Sequence, residues 1–137
     1  MEQRVSVITL AVRDLEKSRQ FYESIGWKAG FSSDKIVFFE LNGCVLGLYD
    51  RQAFVEETGL SGAPGGVALA WNGRTRDEVN AALKMAEQAG AQILQQASET
   101  FWGGYSGYFA DPDGHGWEVA HNPGWPIDPS GNVHMKD

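Results

Sequence analysis

One order of strands and helices occurs twice along the chain, and this repetition limits the possible folds more than any other feature. In the first half, an apolar β-branched run at residues 4–12 indicates a strand, and Asp14 is a suitable N-cap for the helix that follows. Apolar residues at helical spacing continue that helix to a glycine stop at Gly26. Three more strands are predicted, at residues 27–31, 35–41 and 44–49.

The second half begins the same order again after a connection rich in glycine. A strand is predicted at residues 67–71, and Thr75 and Glu78 form a capping box at the start of a helix that ends at Gly90. Three further strands are predicted, at residues 91–96, 107–110 and 117–121. The second half is longer, which indicates an insertion, mainly over residues 98–106. The predicted fold class is α+β, with two paired βαβββ modules.

The size of the chain suits one domain built from the two modules. It has 137 residues, of which 42% are hydrophobic, so it can bury a single core. Two modules that each expose an apolar sheet face can bury these faces against each other and leave a cleft at the seam. We expect one domain over residues 1–137, with module one at about 4–50, module two at about 66–122 and an extended tail at 123–137.

Charge and cysteine content exclude several classes of partner. The chain has 11 Lys and Arg residues against 18 Asp and Glu residues, and the net charge of −7 repels nucleic acids and anionic membranes. Cys44 is the only cysteine, so no intramolecular disulfide can form and a reducing compartment is compatible. No apolar run reaches the roughly 18 residues that a membrane-spanning helix needs, and the opening strand lacks a signal-peptide cleavage site. We expect a cytoplasmic protein with no nucleic-acid or membrane partner.

Two segments carry a resemblance to a known family. They are ITLAVRDLEKSRQFYESIGW at residues 8–27 and GYFADPDGHGWEVAHNP at residues 107–123. Through them, nearly the whole chain resembles the vicinal oxygen chelate superfamily, which includes glyoxalase I, extradiol dioxygenases, and the fosfomycin-resistance and bleomycin-resistance proteins. The resemblance implies a cupped mixed sheet with the helices outside, an active cleft inside the cup, and a homodimer.

The resemblance also locates four positions at which metal-using members carry His, Glu or Gln. Matched on the motifs, these positions fall on Val7, near Gly47, near Gly66 and on Glu118. Only Glu118 has a side chain that can coordinate a metal, and a divalent ion held by one carboxylate and waters binds weakly. A slip of one residue in the matching supplies no further ligand. The resemblance therefore implies that the metal centre is absent, and we expect no metal and no other cofactor.

Aromatic side chains among glycines form the most unusual segment, residues 101–108. They can make a mobile flap that presents flat apolar surfaces to a ligand, or they can fill a core where the inserted loop folds back. Glu118 lies on an alternating strand, where it is a structural hydrogen-bond acceptor, a ligand anchor or a general base. Strand alternation, read with the resemblance, puts Tyr49 on the cleft face. The predicted ligand-binding residues are Tyr49, Trp102, Tyr105, Tyr108 and Glu118.

Three functions remain open at this point. The first is a metal-independent small-molecule-binding protein that resembles the bleomycin-resistance members and holds its ligand in an aromatic-lined cleft. The second is a lyase, isomerase or dioxygenase of the same superfamily, which depends either on a metal or on Glu118 as the catalytic base. The third is an assembly module whose vestigial cleft is plugged by aromatic side chains. A fold alone does not choose among them; we prefer the first, because three of the four metal positions carry Val or Gly.

Overall fold

The computed structural model describes residues 1–135 and contains eight strands and three helices within them. The strands are β1 (Val7–Val12), β2 (Phe31–Ser32), β3 (Ile36–Glu40), β4 (Val45–Asp50), β5 (Ala68–Asn72), β6 (Gln92–Glu99), β7 (Tyr105–Ala110) and β8 (Gly116–His121). The helices are α1 (Leu15–Ser24), α2 (Arg51–Thr58) and α3 (Arg76–Gln88). Over residues 1–135, none of these helices has the length and apolar character needed to cross a bilayer.

The chain divides into two compact units, Met1–Ala63 and Pro64–Asp137. In the first unit the strand order is β1-β4-β3-β2, with β1 parallel to β4 and the other pairs antiparallel. In the second unit the order β5-β8-β7-β6 repeats this pattern, with β5 parallel to β8. The predicted α+β class with two βαβββ modules is confirmed, in the form of two four-stranded mixed sheets.

Alternation along the strands gives the first sheet a helix-covered face and an open face. Leu46 and Leu48 of β4 are fully buried on the face that α1 covers. Tyr22 of α1 packs there with its ring centroid 6.0 Å from that of Phe39 in β3. Because successive strand residues point to opposite sides, Gly47 belongs to the open face.

In the second unit, α3 covers one face of the sheet through an apolar stripe. The buried residues of α3 are Val79, Leu83 and Ala86. The helix begins as predicted, because the Thr75 hydroxyl accepts the backbone N–H of Glu78 at 3.1 Å. In a capping box the Glu78 carboxylate would accept the backbone N–H of the N-cap residue, Thr75. Here it accepts the N–H of Arg74, one residue earlier.

The short helix α2 has no counterpart among the predicted elements. It is capped by Asp50, whose carboxylate accepts the N–H of Ala53 at 3.1 Å, and it ends at Gly59 with a φ of 74°. None of its residues is buried, so its sequence lacks the apolar stripe by which an amphipathic helix is detected. Its caps and its contacts with β1 and β4 stabilise it instead.

The inserted residues of the second module form the turn between β6 and β7 and the strand ends on either side of it. β6 runs to Glu99 and β7 begins at Tyr105, so only residues 100–104 connect them. In this turn the N–H of Thr100 donates to the Gly104 carbonyl at 3.0 Å, and the N–H of Gly104 donates to the Thr100 hydroxyl at 2.9 Å. The register of β6 against β7 shifts twice, which is the mark of β-bulges on this edge strand.

The tail contains a second copy of the turn that joins β7 to β8. Both turns have the sequence Asp-Pro-x-Gly, at residues 111–114 and 128–131. In each turn the first aspartate accepts the backbone N–H groups two and four residues later, all at 2.9 Å. A β-bridge between Ile127 and Val133 follows from the second turn. The low periodicity of the tail predicts an extended segment, whereas the structure forms a turn and a β-bridge there. The turn could have been predicted from the repeated Asp-Pro-x-Gly sequence.

The carboxyl group of Asp128 should stabilise the tail turn only while it is ionised. A hydrogen bond from His134 Nε2 at 2.9 Å is the main cause that lowers the pKa of Asp128 from 3.8 to about 2, and backbone N–H groups add to it. Because the folded pKa lies below the unfolded one, this stabilisation is present above pH 3.8 and is lost as the pH falls towards 2. We expect a carbon-detected NMR titration to give Asp128 a midpoint near 2, and we expect His134→Ala to raise it. An ordinary midpoint in the unchanged protein would contradict this geometry.

Ser18 is a buried hydroxyl that weakens the first unit. It lies on the covered side of α1 with 1% of its surface exposed, and its Oγ has no hydrogen-bond partner within residues 1–135. An unsatisfied buried hydroxyl is costly and serine is a weaker helix former than alanine. We expect Ser18→Ala to raise the free energy of unfolding by about 1 kcal/mol in urea denaturation. The matched change Ser24→Ala, on the exposed end of the same helix, should shift it by under about 0.5 kcal/mol; equal effects would refute the assignment.

Candidate functional site

The open face of the second sheet carries one carboxylate among small side chains. Glu118 of β8 stands in register with Ala70 of β5 on one side and Tyr108 of β7 on the other. Ala68 and Gly116 form the next pair on the same face. Glu118 is half-buried, whereas both alanines are exposed. The small neighbours leave room beside the carboxylate for atoms of a ligand.

Tyr108 and Glu118 lie side by side as register partners of β7 and β8. Burial raises the pKa of the Tyr108 phenol, and the negative charge of Glu118 and its hydrogen bond raise it further. The phenol therefore stays protonated at neutral pH beside the carboxylate. Because an ionised carboxylate has about four lone-pair sites, Glu118 can accept further donors from a bound molecule.

The open face of the first sheet is more apolar and contains a depression. Gly47 lies in register with Thr9 on one side and Phe38 on the other, and a Cβ at this glycine would lie 3.1 Å from the Phe38 ring. The ring therefore packs directly over the glycine. Next to it a depression of about 580 Å³ opens to solvent. Its walls include Val7, Phe31, Phe38 and Val45, with Glu40 and Cys44 as polar members.

Tyr49, at the end of β4, makes contacts with α2. Its ring centroid lies 6.4 Å from that of Phe54, in an edge-on arrangement. A hydrogen bond to Glu57 is the main cause that raises the pKa of the Tyr49 phenol. Both partners belong to α2, so Tyr49 attaches this helix to the sheet.

Trp102 lies in the turn between β6 and β7 and packs on the backbone of its own hairpin. A Cβ at Gly104 would overlap the six-membered ring of Trp102. The ring therefore occupies the space that a side chain at position 104 would need. The indole keeps 40% of its surface exposed, while the neighbouring Phe101 is fully exposed. The turn thus presents two aromatic rings to solvent from a hydrogen-bonded loop.

Tyr105 lies on the helix-covered side of the second sheet. Its hydroxyl donates to Asn80 Oδ1 of α3 at 2.7 Å. The guanidinium carbon of Arg76 lies 5.2 Å from the centre of its ring, and Arg76 also pairs with Glu99 at 3.0 Å. The structure therefore brings Tyr108 and Glu118 together on one face and puts Tyr105 on the other.

The structure moves one of the four expected metal positions, from Gly66 to Ala68. Gly66 lies before β5 with a φ of +71°, so it is a turn residue. Val7 stands seven residues before the first helix N-cap, Asp14, and the residue seven before the second N-cap, Thr75, is Ala68. Alanine offers no ligand atom either. Among residues 1–135, no three His, Cys, Asp or Glu side chains form a group that could hold a metal ion.

A family model decides the relationship that the two motifs suggest. The model of the Glyoxalase/Bleomycin resistance protein/Dioxygenase superfamily matches residues 4–119, which include every strand of both sheets except the last two residues of β8. The chain belongs to this superfamily. The resemblance drawn from the sequence is therefore confirmed. At the four positions where metal-using members carry ligands, this chain has only one side chain that can coordinate a metal, Glu118.

Solved structures of superfamily proteins are similar to this chain over most of its length. A glyoxalase-related enzyme from Fulvimarina pelagi is 42% identical with a TM-score of 0.94, and the match covers 99% of this chain and 100% of that one. A glyoxalase/bleomycin resistance protein/dioxygenase from Nocardioides is 26% identical with a TM-score of 0.74, covering 88% and 84%. A lactoylglutathione lyase from Agrobacterium tumefaciens is 22% identical with a TM-score of 0.74, covering 93% and 100%. At this last identity the likeness shows the shared superfamily fold alone.

Phe31 and Phe38 are candidate ligand contacts that were not among the predicted site residues. They are register partners, and their ring centroids lie 6.0 Å apart beside the depression of the first sheet. The signal for Phe38 is the alternation of β3, where Val37 and Phe39 are buried and Phe38 points to the opposite face. Phe31 gives no such signal, because β2 has only two residues.

Proposed function

We propose that this superfamily member binds a small amphipathic molecule without a metal ion. Glu118 holds a hydrogen-bond donor or cation of the ligand, and aromatic rings hold its apolar part. The observation that carries the proposal is the Glu118–Tyr108 pair, a carboxylate and a phenol that lie side by side on one sheet face, next to the small residues Ala68, Ala70 and Gly116. A few placed polar groups within an otherwise apolar surface are typical of small-molecule sites.

We assign the five predicted residues different parts in this function. Glu118 and Tyr108 contact the polar group of the ligand. Trp102 offers the exposed part of its ring as an apolar contact. Tyr49 and Tyr105 act as positioning residues, because their hydroxyl groups are already bonded to α2 and α3.

Metal independence is supported by the residues at the four matched positions. Val7, Gly47 and Ala68 supply no ligand atom, and Glu118 alone with waters would hold a divalent ion weakly. The carboxylate is then available to a ligand. We therefore assign Glu118 a direct contact with the bound molecule, and no step of the proposed function passes through a metal.

A panel of three short molecules tests this assignment. Hexylamine, hexanol and hexanoate share one apolar chain and differ in the group that would meet Glu118. We expect hexylamine to shift the NMR signals of Tyr108 and Glu118 and to bind most tightly, with hexanoate excluded by the carboxylate. Glu118→Gln should weaken hexylamine binding about tenfold or more, because hydrogen bonds to charged groups contribute roughly 1.5–3 kcal/mol.

Two matched variants complete the experiment. Tyr108→Phe removes one donor to the carboxylate and should change hexylamine affinity without unfolding the sheet. Glu16→Gln, on the exposed surface of α1, should leave binding unchanged. Equal affinity for hexanoate and hexylamine, or an unaltered affinity in Glu118→Gln, would rule out the proposed contact.

We also propose a homodimer in a reducing compartment such as the cytoplasm. Large apolar side chains with about half or more of their surface exposed, namely Val5, Val7 and Phe31, support self-association. The only cysteine, Cys44, is free, which is compatible with a reducing environment. Light scattering coupled to gel filtration should give twice the 15.0 kDa chain mass, and a monomer at high concentration would contradict the dimer.

A further inference from the structure

A second depression lies on the covered side of the second sheet, opposite the face that carries Glu118. It has a volume of about 300 Å³ and lies between α3 and β6, with Tyr105 of β7 at its edge. Four residues of α3 form one wall, at the helical spacing that puts side chains on a single face: Asn80, Leu83, Lys84 and Glu87. The other wall comes from β6 through Ile93, Gln96 and Ala97.

Next to the groove, α3 and β6 pack closely on β7 at Gly107. Gly107 has no side chain, and a Cβ there would lie 2.7 Å from Leu83 Cδ1 and 2.9 Å from the backbone nitrogen of Ala97. The register of β6 also shifts between Gln95 and Ser98, so a bulge displaces this part of the strand. Bulges often occur next to binding sites, where they redirect side chains. Among the residues that line the groove, Leu83, Ile93 and Ala97 are apolar, and Asn80, Lys84, Glu87 and Gln96 are polar.

Two opposite charges lie unpaired on that rim. Lys84 and Glu87 are exposed and three residues apart on α3, so their Cβ atoms lie roughly 5–6 Å from each other. Within residues 1–135, neither side chain forms an ion pair. In contrast, Arg76 on the same helix is paired with Glu99. Lys84 and Glu87 are thus available for a ligand that carries both charges.

We propose that this groove binds a small zwitterion with an apolar side chain, of the size of a free aliphatic amino acid. The carboxylate of the ligand meets the ammonium group of Lys84, and its ammonium group meets the carboxylate of Glu87. The apolar side chain lies on Leu83, Ile93 and Ala97. The amide groups of Asn80 and Gln96 supply further hydrogen bonds. The groove is separate from the Glu118 face, because the two lie on opposite sides of one sheet.

Three probes with one side chain test the proposal by NMR on the full chain. L-leucine carries both charges, N-acetyl-leucine carries only the negative one, and leucine methyl ester carries only the positive one. We expect L-leucine to shift the backbone amide signals of Lys84, Glu87 and Ala97 with a dissociation constant in the millimolar range. Each singly charged probe should bind about tenfold more weakly, because one charge-assisted contact is lost.

Variants of the groove distinguish a site from a surface effect. Lys84→Gln and Glu87→Gln should each weaken L-leucine binding about tenfold, and Ala97→Phe should abolish it by filling the groove. Lys17→Gln, on the exposed surface of α1, is the matched control and should leave L-leucine binding unchanged. Circular dichroism checks that each variant is folded. The proposal is overturned if L-leucine shifts no groove signal, if the shifts survive Ala97→Phe, or if all three probes bind alike.

Discussion

Replacing Gly107 by alanine is expected to lower the free energy of unfolding by about 3 kcal/mol. This is the largest effect that we predict for adding one methyl group to the chain. The new Cβ would lie 2.7 Å from Leu83 Cδ1, 2.8 Å from the carbonyl oxygen of Gln95 and 2.9 Å from the backbone nitrogen of Ala97. The leucine side chain can move, but the two backbone atoms belong to β6 and can move only with the strand. Denaturation in urea measures the loss.

Gly116 provides the matched control for this prediction. It lies in β8 of the same sheet, and a Cβ there would meet no atom within 4 Å. Gly116→Ala should therefore change the free energy of unfolding by less than about 0.5 kcal/mol. Equal stability of the two single variants would show that β6 does not pack against β7 as described.

Replacing Gly104 by alanine is expected to displace the Trp102 ring and to cost about 2 kcal/mol. The new Cβ would overlap that ring and would lie 2.6 Å from the backbone oxygen of His121. The ring is the group that can give way, so it should leave the hairpin backbone. With 5-fluorotryptophan in the chain, the fluorine signal of Trp102 should move towards that of a solvent-exposed indole.

This result separates a fixed ring from a mobile flap, the two alternatives that the sequence leaves open for residues 101–108. The control is Gly62→Ala, where a Cβ would meet no atom within 4 Å and neither stability nor the Trp102 signal should change. If Gly104→Ala also left the Trp102 signal and the stability unchanged, the ring would not rest on this backbone. The segment would then behave as a flap.

The fold could be predicted because its signals are local and repeated. Asp14 and Thr75 cap their helices, and strand alternation separates Leu46 and Leu48 from Gly47. The helix α2 could not be predicted, since none of its residues is buried and its sequence therefore shows no apolar stripe. The length of β6 was equally hidden, because its edge position and its bulges remove the period-two pattern.

The candidate site could be predicted only in part. Glu118 and Tyr108 share a face because of an antiparallel register that the Asp-Pro-Asp-Gly turn sets, and the turn is visible in the sequence. The opposite orientation of Tyr105 follows from the same alternation, since it is an odd number of residues from Tyr108. Its bond to Asn80 links elements 25 residues apart, and no local pattern encodes such a contact.

The metal content of the purified protein tests the central claim most directly. The protein should be expressed in medium that contains zinc, nickel, manganese and iron, purified without a chelator, and measured by inductively coupled plasma mass spectrometry. We predict far less than one equivalent of any of these metals, because Glu118 is the only residue at the matched positions that can coordinate one. A full equivalent that disappears in Glu118→Gln would contradict a metal-free binding function.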